Sequence, residues 1–130
     1  MKVYLDIDGV ILNKNHEPLE GLIEFLNFVF HVSNNQVYWL TTHGHDGNKE
    51  RILEYLRPHL RDEIMGRLEG VIPTKWNTLK TEGINLNEDF LWFDDNIFNA
   101  EYKVLENIEK EYCLVKVEDN LLELIESYAS

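Results

Sequence analysis

The chain has one cysteine, Cys113, three prolines, half as many basic as acidic residues, and no apolar run of membrane-spanning length. A single cysteine excludes an internal disulfide and fits a reducing compartment. Twelve Lys and Arg against twenty-four Asp and Glu leave a formal charge of -12, which opposes charge-driven binding to nucleic acid or to an anionic membrane. A small phosphorylated substrate is not excluded, because one metal ion and one lysine reverse the potential locally. Asp6 and Asp8 interrupt the first apolar run and no basic-then-apolar leader stands before it. Neither leader nor membrane span is therefore expected, and cytoplasm is the expected location.

What is present describes a folded domain. With 130 residues, 44% hydrophobic and 12% aromatic, the expectation is one domain over residues 1–130. Its first segment, Val3-Tyr4-Leu5-Asp6-Ile7-Asp8-Gly9-Val10, is a β-branched and aromatic run too short for a helix, ending in two carboxylates and a glycine. It reads as a strand buried on both faces. Side chains two apart on a strand point the same way, so Asp6 and Asp8 repel unless a cation lies between them. A strand end that merely solvates two acids is the plain alternative.

Farther on, Leu19, Leu22, Ile23, Leu26, Val29 and Phe30 recur at helical spacing, and Pro18 suits the first turn of that helix. Ser33-Asn34-Asn35 closes it. Gln36 to Leu40 reads as a second strand, running into the sharply bent loop Thr41-Thr42-His43-Gly44-His45-Asp46-Gly47. A helix is expected over Asn48 to Leu56, a helical turn over Leu60 to Met65, and a weak third strand over Leu68 to Ile72. Thr74 is placed to cap a third helix running to about Glu82. Phe90 to Phe93 is a strongly apolar fourth strand ending in Asp94-Asp95-Asn96. Helix over Phe98 to Lys110, strand over Tyr112 to Val117 and helix over Leu121 to Tyr128 complete the chain.

Strands alternating with helices indicate an α/β fold, a three-layer α/β/α sandwich around a mostly parallel, five-stranded, Rossmann-like sheet. Such sheets bind ligands beyond the carboxyl ends of their strands. Three of those ends carry the most polar clusters: Asp6 and Asp8, Thr41 and Thr42, Asp94 and Asp95.

With Asp6-Ile7-Asp8-Gly9-Val10, Thr41, Lys75 and Asp94-Asp95 in that order, the chain resembles the haloacid dehalogenase (HAD-like) superfamily of aspartyl-phosphate hydrolases over nearly its whole length. The resemblance implies a magnesium-dependent phosphatase. Asp6 is then the nucleophile. Asp8 is the acid and base that protonates the leaving oxygen, which favours phosphate esters over halides as substrate. Mg2+ is held by the carboxylates of Asp6 and Asp94 and the backbone carbonyl of Asp8, all hard oxygen donors. Asp95 binds the metal, holds a metal-bound water or braces the loop. Thr41 donates its hydroxyl and Thr42 its backbone amide to the phosphate, with Thr42 the alternative hydroxyl donor.

Two lysines compete for the phosphate. Lys75, at the start of the expected third helix, is preferred because it can reach over the strand ends, whereas Lys80 falls deeper in that helix, toward its outer face. His43 and His45 lack the third ligand of a zinc site and either line the mouth or solvate the loop. Trp76 stacks on a substrate ring or packs on the third helix. Trp39, Trp92 and Cys113 are core residues.

Neither interval that holds a cap domain in this family has room for one. An open, capless site favours a bulky phosphorylated substrate such as a phosphoprotein, or a polynucleotide end, against which the acidic charge counts; a small molecule enclosed by a partner subunit is the remaining class. The competing hypothesis is a catalytically silent module of the same fold that binds phosphate or metal without turnover.

Overall fold

The computed structural model describes residues 1–129. Alternation of large apolar side chains makes β1 (Lys2–Leu5) an interior strand, because Val3 and Leu5 face one side and Tyr4 the other, all buried. It pairs in parallel with β2 (Val37–Trp39) on one edge and with β3 (Phe90–Asp94) on the other, and β3 pairs in parallel with β4 (Leu114–Lys116). The order is β2-β1-β3-β4. Strand order therefore reverses between β1 and β3, and the crevice at such a switch point is where open parallel sheets take ligands.

Different helices cover the two faces. Val3, Leu5, Val37, Trp39, Leu91 and Phe93 pack with buried residues of α1 (Leu22–Val32), α2 (Lys49–Leu56), α3 (Asp62–Leu68) and α5 (Leu121–Ala129). Tyr4, Phe90 and Trp92 pack on the other side with Leu40, Ile84, Cys113 and Leu105 of α4 (Asn99–Asn107). Burying each such side chain contributes about 1.5–3 kcal/mol. Trp39, Trp92 and Cys113 are core residues, as expected.

The expected elements differ from the structure in three places. Among the described residues the sheet has four strands rather than five, because Leu68 ends α3 and only Ile72 of the expected third strand pairs, in a single parallel bridge to Tyr38. The first helix begins at Leu22, not near Pro18. Gly21 has φ 81 and breaks the helical path there, while Pro18 forms a bridge with Leu12.

The expected helix from Thr74 to Glu82 is a loop that ends in the 3-10 turn Lys80–Gly83. Its backbone donors go elsewhere: Asn77 N, Thr78 N and Leu79 N all donate to the Glu82 carboxylate, at 3.0, 3.2 and 3.0 Å. One side chain satisfies the amides that a helix would have used, a local competition that disfavours the helix. Thr74 caps nothing and donates its hydroxyl to the Trp39 carbonyl.

Candidate active site

Parallel register sets the first two acids side by side. Leu5 pairs with Phe93, so Asp6 and Asp94 are the next residues at the carboxyl ends of neighbouring strands, and Asp6 N still donates to Phe93 O at 3.1 Å. Both carboxylates are buried. Two such acids cannot both ionise cheaply without a counter-charge.

Lys80 supplies it. Its ammonium lies 2.7 Å from Asp94 Oδ2 and 3.2 Å from Asp6 Oδ2, and only 8% of the residue is exposed. The lysine is held at its backbone as well: Lys80 N donates to Glu101 Oε2 at 2.7 Å, while Glu101 Oε1 accepts from Phe98 N at 2.8 Å. Glu101, buried at the start of α4, thus ties the Lys80 turn to the segment that follows Asp94.

Lys75 does not reach the acids. It is exposed, its backbone bridges Asp46, and its side chain lies along Gly47, in a cleft lined also by His45, Trp76 and Glu82. The geometry behind the preference for Lys75 is absent: without a third helix, Lys75 has no helical start from which to reach inward, and the 3-10 turn directs Lys80 to the acids instead. Trp76 is partly buried against the Tyr4 and Trp92 cluster, not on a third helix, and its ring lies near His45.

The remaining bonds hold the carboxylates in place. Asp6 Oδ1 accepts from Ile7 N at 2.8 Å, and Asp94 Oδ1 from Asn96 N at 3.1 Å. Trp92 Nε1 donates to Asp94 Oδ2 at 3.3 Å. Burial raises Asp6 above the ordinary carboxylate range against the pull of Lys80, and burial with the neighbouring Asp6 charge raises Asp94 to about 6. Burial works to lower Lys80, but the two acids outweigh it and hold the ammonium above its usual value. The lysine is therefore a fixed cation between acids that share it.

Asp95 completes an acidic group with Asp6 and Asp94, one oxygen from each lying within 4.8 Å of the others. Burial and the Asp94 charge raise its pKa. Its position depends on Gly9, which has φ 82; a Cβ there would fall 2.2 Å from Asp95 Cγ. The turn after β1 and the turn after β3 therefore touch, and only glycine permits the approach.

Asp8 stands apart from that group. Its carboxylate is exposed and meets His43, with Oδ2 2.9 Å from Nε2. Thr41 is buried two residues beyond the end of β2, its Oγ1 accepting from His43 N at 3.2 Å, which leaves the hydroxyl proton to donate. Thr42 is exposed and starts the 3-10 turn Thr42–Gly44. Beside Asp8 a cleft of about 480 Å³ is lined by Gly9, Asn13, Lys14, His16, His43, Tyr55 and Asp95.

The structure thus gathers Asp6, Asp94, Asp95 and Lys80, and sets Asp8 next to His43 on the open side. The sequence reading missed Glu101, the Asp8 contact of His43, and the Trp92 indole as a donor to Asp94. No local pattern signals Glu101, whose partners lie in two separate turns; the closeness of His43 to Thr41 in sequence was the available hint for the second. No family model, curated protein or solved structure gives a significant match to the chain.

Proposed function

We propose that this chain is a HAD-like, capless, magnesium-dependent phosphatase that hydrolyses phosphate monoesters through a phosphorylated Asp6. The observation that carries the reading is the Lys80 ammonium shared by Asp6 and Asp94 at the switch point of a parallel sheet, with Asp95 within reach of both. Phosphoryl transfer needs a fixed nucleophile surrounded by positive charge and little else.

The three carboxylates suit Mg2+ because they are hard oxygen donors that converge within 4.8 Å of one another, two of them buried. Asp6 and Asp94 would hold the ion together with the Asp8 carbonyl, and Asp95 directly or through water. When bound, it supplies positive charge to the phosphoryl oxygens.

The protein residues carry the steps. A carboxylate oxygen of Asp6 attacks phosphorus, and the bond from phosphorus to the ester oxygen breaks with its electron pair leaving on that oxygen. Asp8 gives the oxygen a proton, so an alcohol departs. Water then attacks the phosphorus while Asp8 takes its proton, and the Asp6 carboxylate is released with inorganic phosphate. Lys80 faces the transferred group as a cation, Thr41 gives its hydroxyl and Thr42 its amide. The open cleft beside Asp8 receives the alcohol portion of the substrate.

The test is turnover of p-nitrophenyl phosphate and of a panel of phosphorylated metabolites, phosphopeptides and end-phosphorylated oligonucleotides, with Mg2+ and with EDTA. Asp6→Asn should abolish hydrolysis and leave thermal unfolding cooperative. Activity that persists in Asp6→Asn refutes the proposed nucleophile; Mg2+ binding without hydrolysis across the panel identifies a silent binding module instead.

A further inference from the structure

His43 is fixed from two directions. Its ring stacks on Tyr55 of α2, centroids 3.8 Å apart and planes 17° from parallel, and its backbone N–H is held by Thr41 Oγ1. Tyr55 is itself steadied by His59, 5.9 Å away edge to face, and His59 stacks on His16 at 5.3 Å. The Nε2 of His43 lies 2.9 Å from Asp8 Oδ2. Asp8, by contrast, has a side chain 57% exposed, and besides His43 it faces the Tyr55 hydroxyl, whose pKa its charge helps to raise after burial.

An exposed aspartate ordinarily samples several rotamers, and a proton donor in the wrong rotamer transfers nothing. We propose that His43 is the positioning residue for Asp8: its imidazole clamps Oδ2, so that the other carboxyl oxygen is turned toward the leaving oxygen. The stack on Tyr55 keeps the clamp from swinging away. This rests on the reading of Asp8 as the proton donor above. In the step concerned, the proton passes from the Asp8 carboxyl to the ester oxygen as that oxygen takes the electron pair of the breaking bond.

The leaving group reveals the role. p-Nitrophenolate departs without a proton, whereas an alkoxide does not, so a misaligned acid penalises alkyl phosphates selectively. kcat/KM, which covers the steps through loss of the alcohol, is compared for p-nitrophenyl phosphate and an alkyl phosphate such as glycerol phosphate. His43→Ala should lower the alkyl value by roughly 10- to 100-fold and the aryl value by less than about 3-fold. His43→Gln, whose amide can still donate to Asp8, should restore the alkyl value to within about 5-fold of the parent. Asp8→Asn should show the same bias in larger form. Equal losses on both substrates, or no loss on either, overturn the clamp while Asp8→Asn keeps its bias and Asp6→Asn stays dead. If the parent protein hydrolyses neither ester nor any member of the panel above, the phosphatase reading fails first, and the clamp with it.

Discussion

Asp94→Asn should make the metal-free protein more stable at neutral pH while removing the proposed phosphatase activity. Asp94 has a pKa of about 6 in the folded protein against an ordinary 3.8, because it is buried and faces Asp6. A carboxyl with a raised folded pKa binds more protons folded than unfolded between those two values. Stability is therefore lost as pH rises through that window. The penalty reaches about 3 kcal/mol at pH 7, of which roughly 2 accumulates between pH 4 and pH 7. Asparagine escapes it, but with its carbonyl oxygen in the Oδ2 position, accepting from Lys80 Nζ and Trp92 Nε1, it presents its amide N–H₂ to Asn96 N, a donor that Asp94 Oδ1 now satisfies. That mismatch costs about 1–2 kcal/mol at every pH. The two curves should cross: Asp94→Asn less stable near pH 4, more stable by about 1–2 kcal/mol at pH 7. Urea unfolding in EDTA at several pH values measures this directly; Asp6 and Lys80, whose protonation is linked to that of Asp94, shift with the substitution, while groups distant from the site cancel in the difference. Parallel curves, or a variant less stable at pH 7 by as much as at pH 4, refute the shared-cation account of the site.

Lys80→Ala should destabilise by about 3–5 kcal/mol, since it leaves two buried acids uncompensated, while the exposed Lys75→Ala should stay within about 0.5 kcal/mol in the same urea titration. Gly9→Ala should cost about 1–3 kcal/mol through its φ of 82 and its collision with Asp95, and should weaken the proposed Mg2+ binding, measured by calorimetry. Glu101→Gln keeps one acceptor for two amides and should lower stability by about 1–3 kcal/mol. Its thermal midpoint, followed by circular dichroism, checks that value.

Much of this arrangement was legible from short-range pattern. The runs Val3 to Leu5 and Phe90 to Phe93 announced buried strands by composition alone, and the acids that follow them landed side by side because parallel register carried them there. The stretch from Pro73 to Glu82 was not legible. Its few apolar residues fit a helix loosely, and nothing local reveals that Glu82 gathers three amides or that Glu101, far along the chain, anchors Lys80. The choice between two lysines depended on the path of that loop, a tertiary outcome. Likewise Leu68 to Ile72 carries apolar residues enough for a strand, yet α3 takes the first of them and Gly70 interrupts the rest.

The placement of β1 bears on how the chain is made. Val3, in the centre of the sheet, pairs on one side with Leu91, which a ribosome adds on the order of 5–20 s later. Through that interval one side of β1 is an apolar segment of high strand propensity with no mate, the kind of edge on which nascent chains associate. Asp6 and Asp8 interrupt the segment with charge at the moment it is most exposed, acting as gatekeepers against self-association. The same acids proposed for chemistry in the finished protein thus guard its unfinished form, and replacing both by apolar residues should lower soluble yield in cells even before any effect on catalysis is felt.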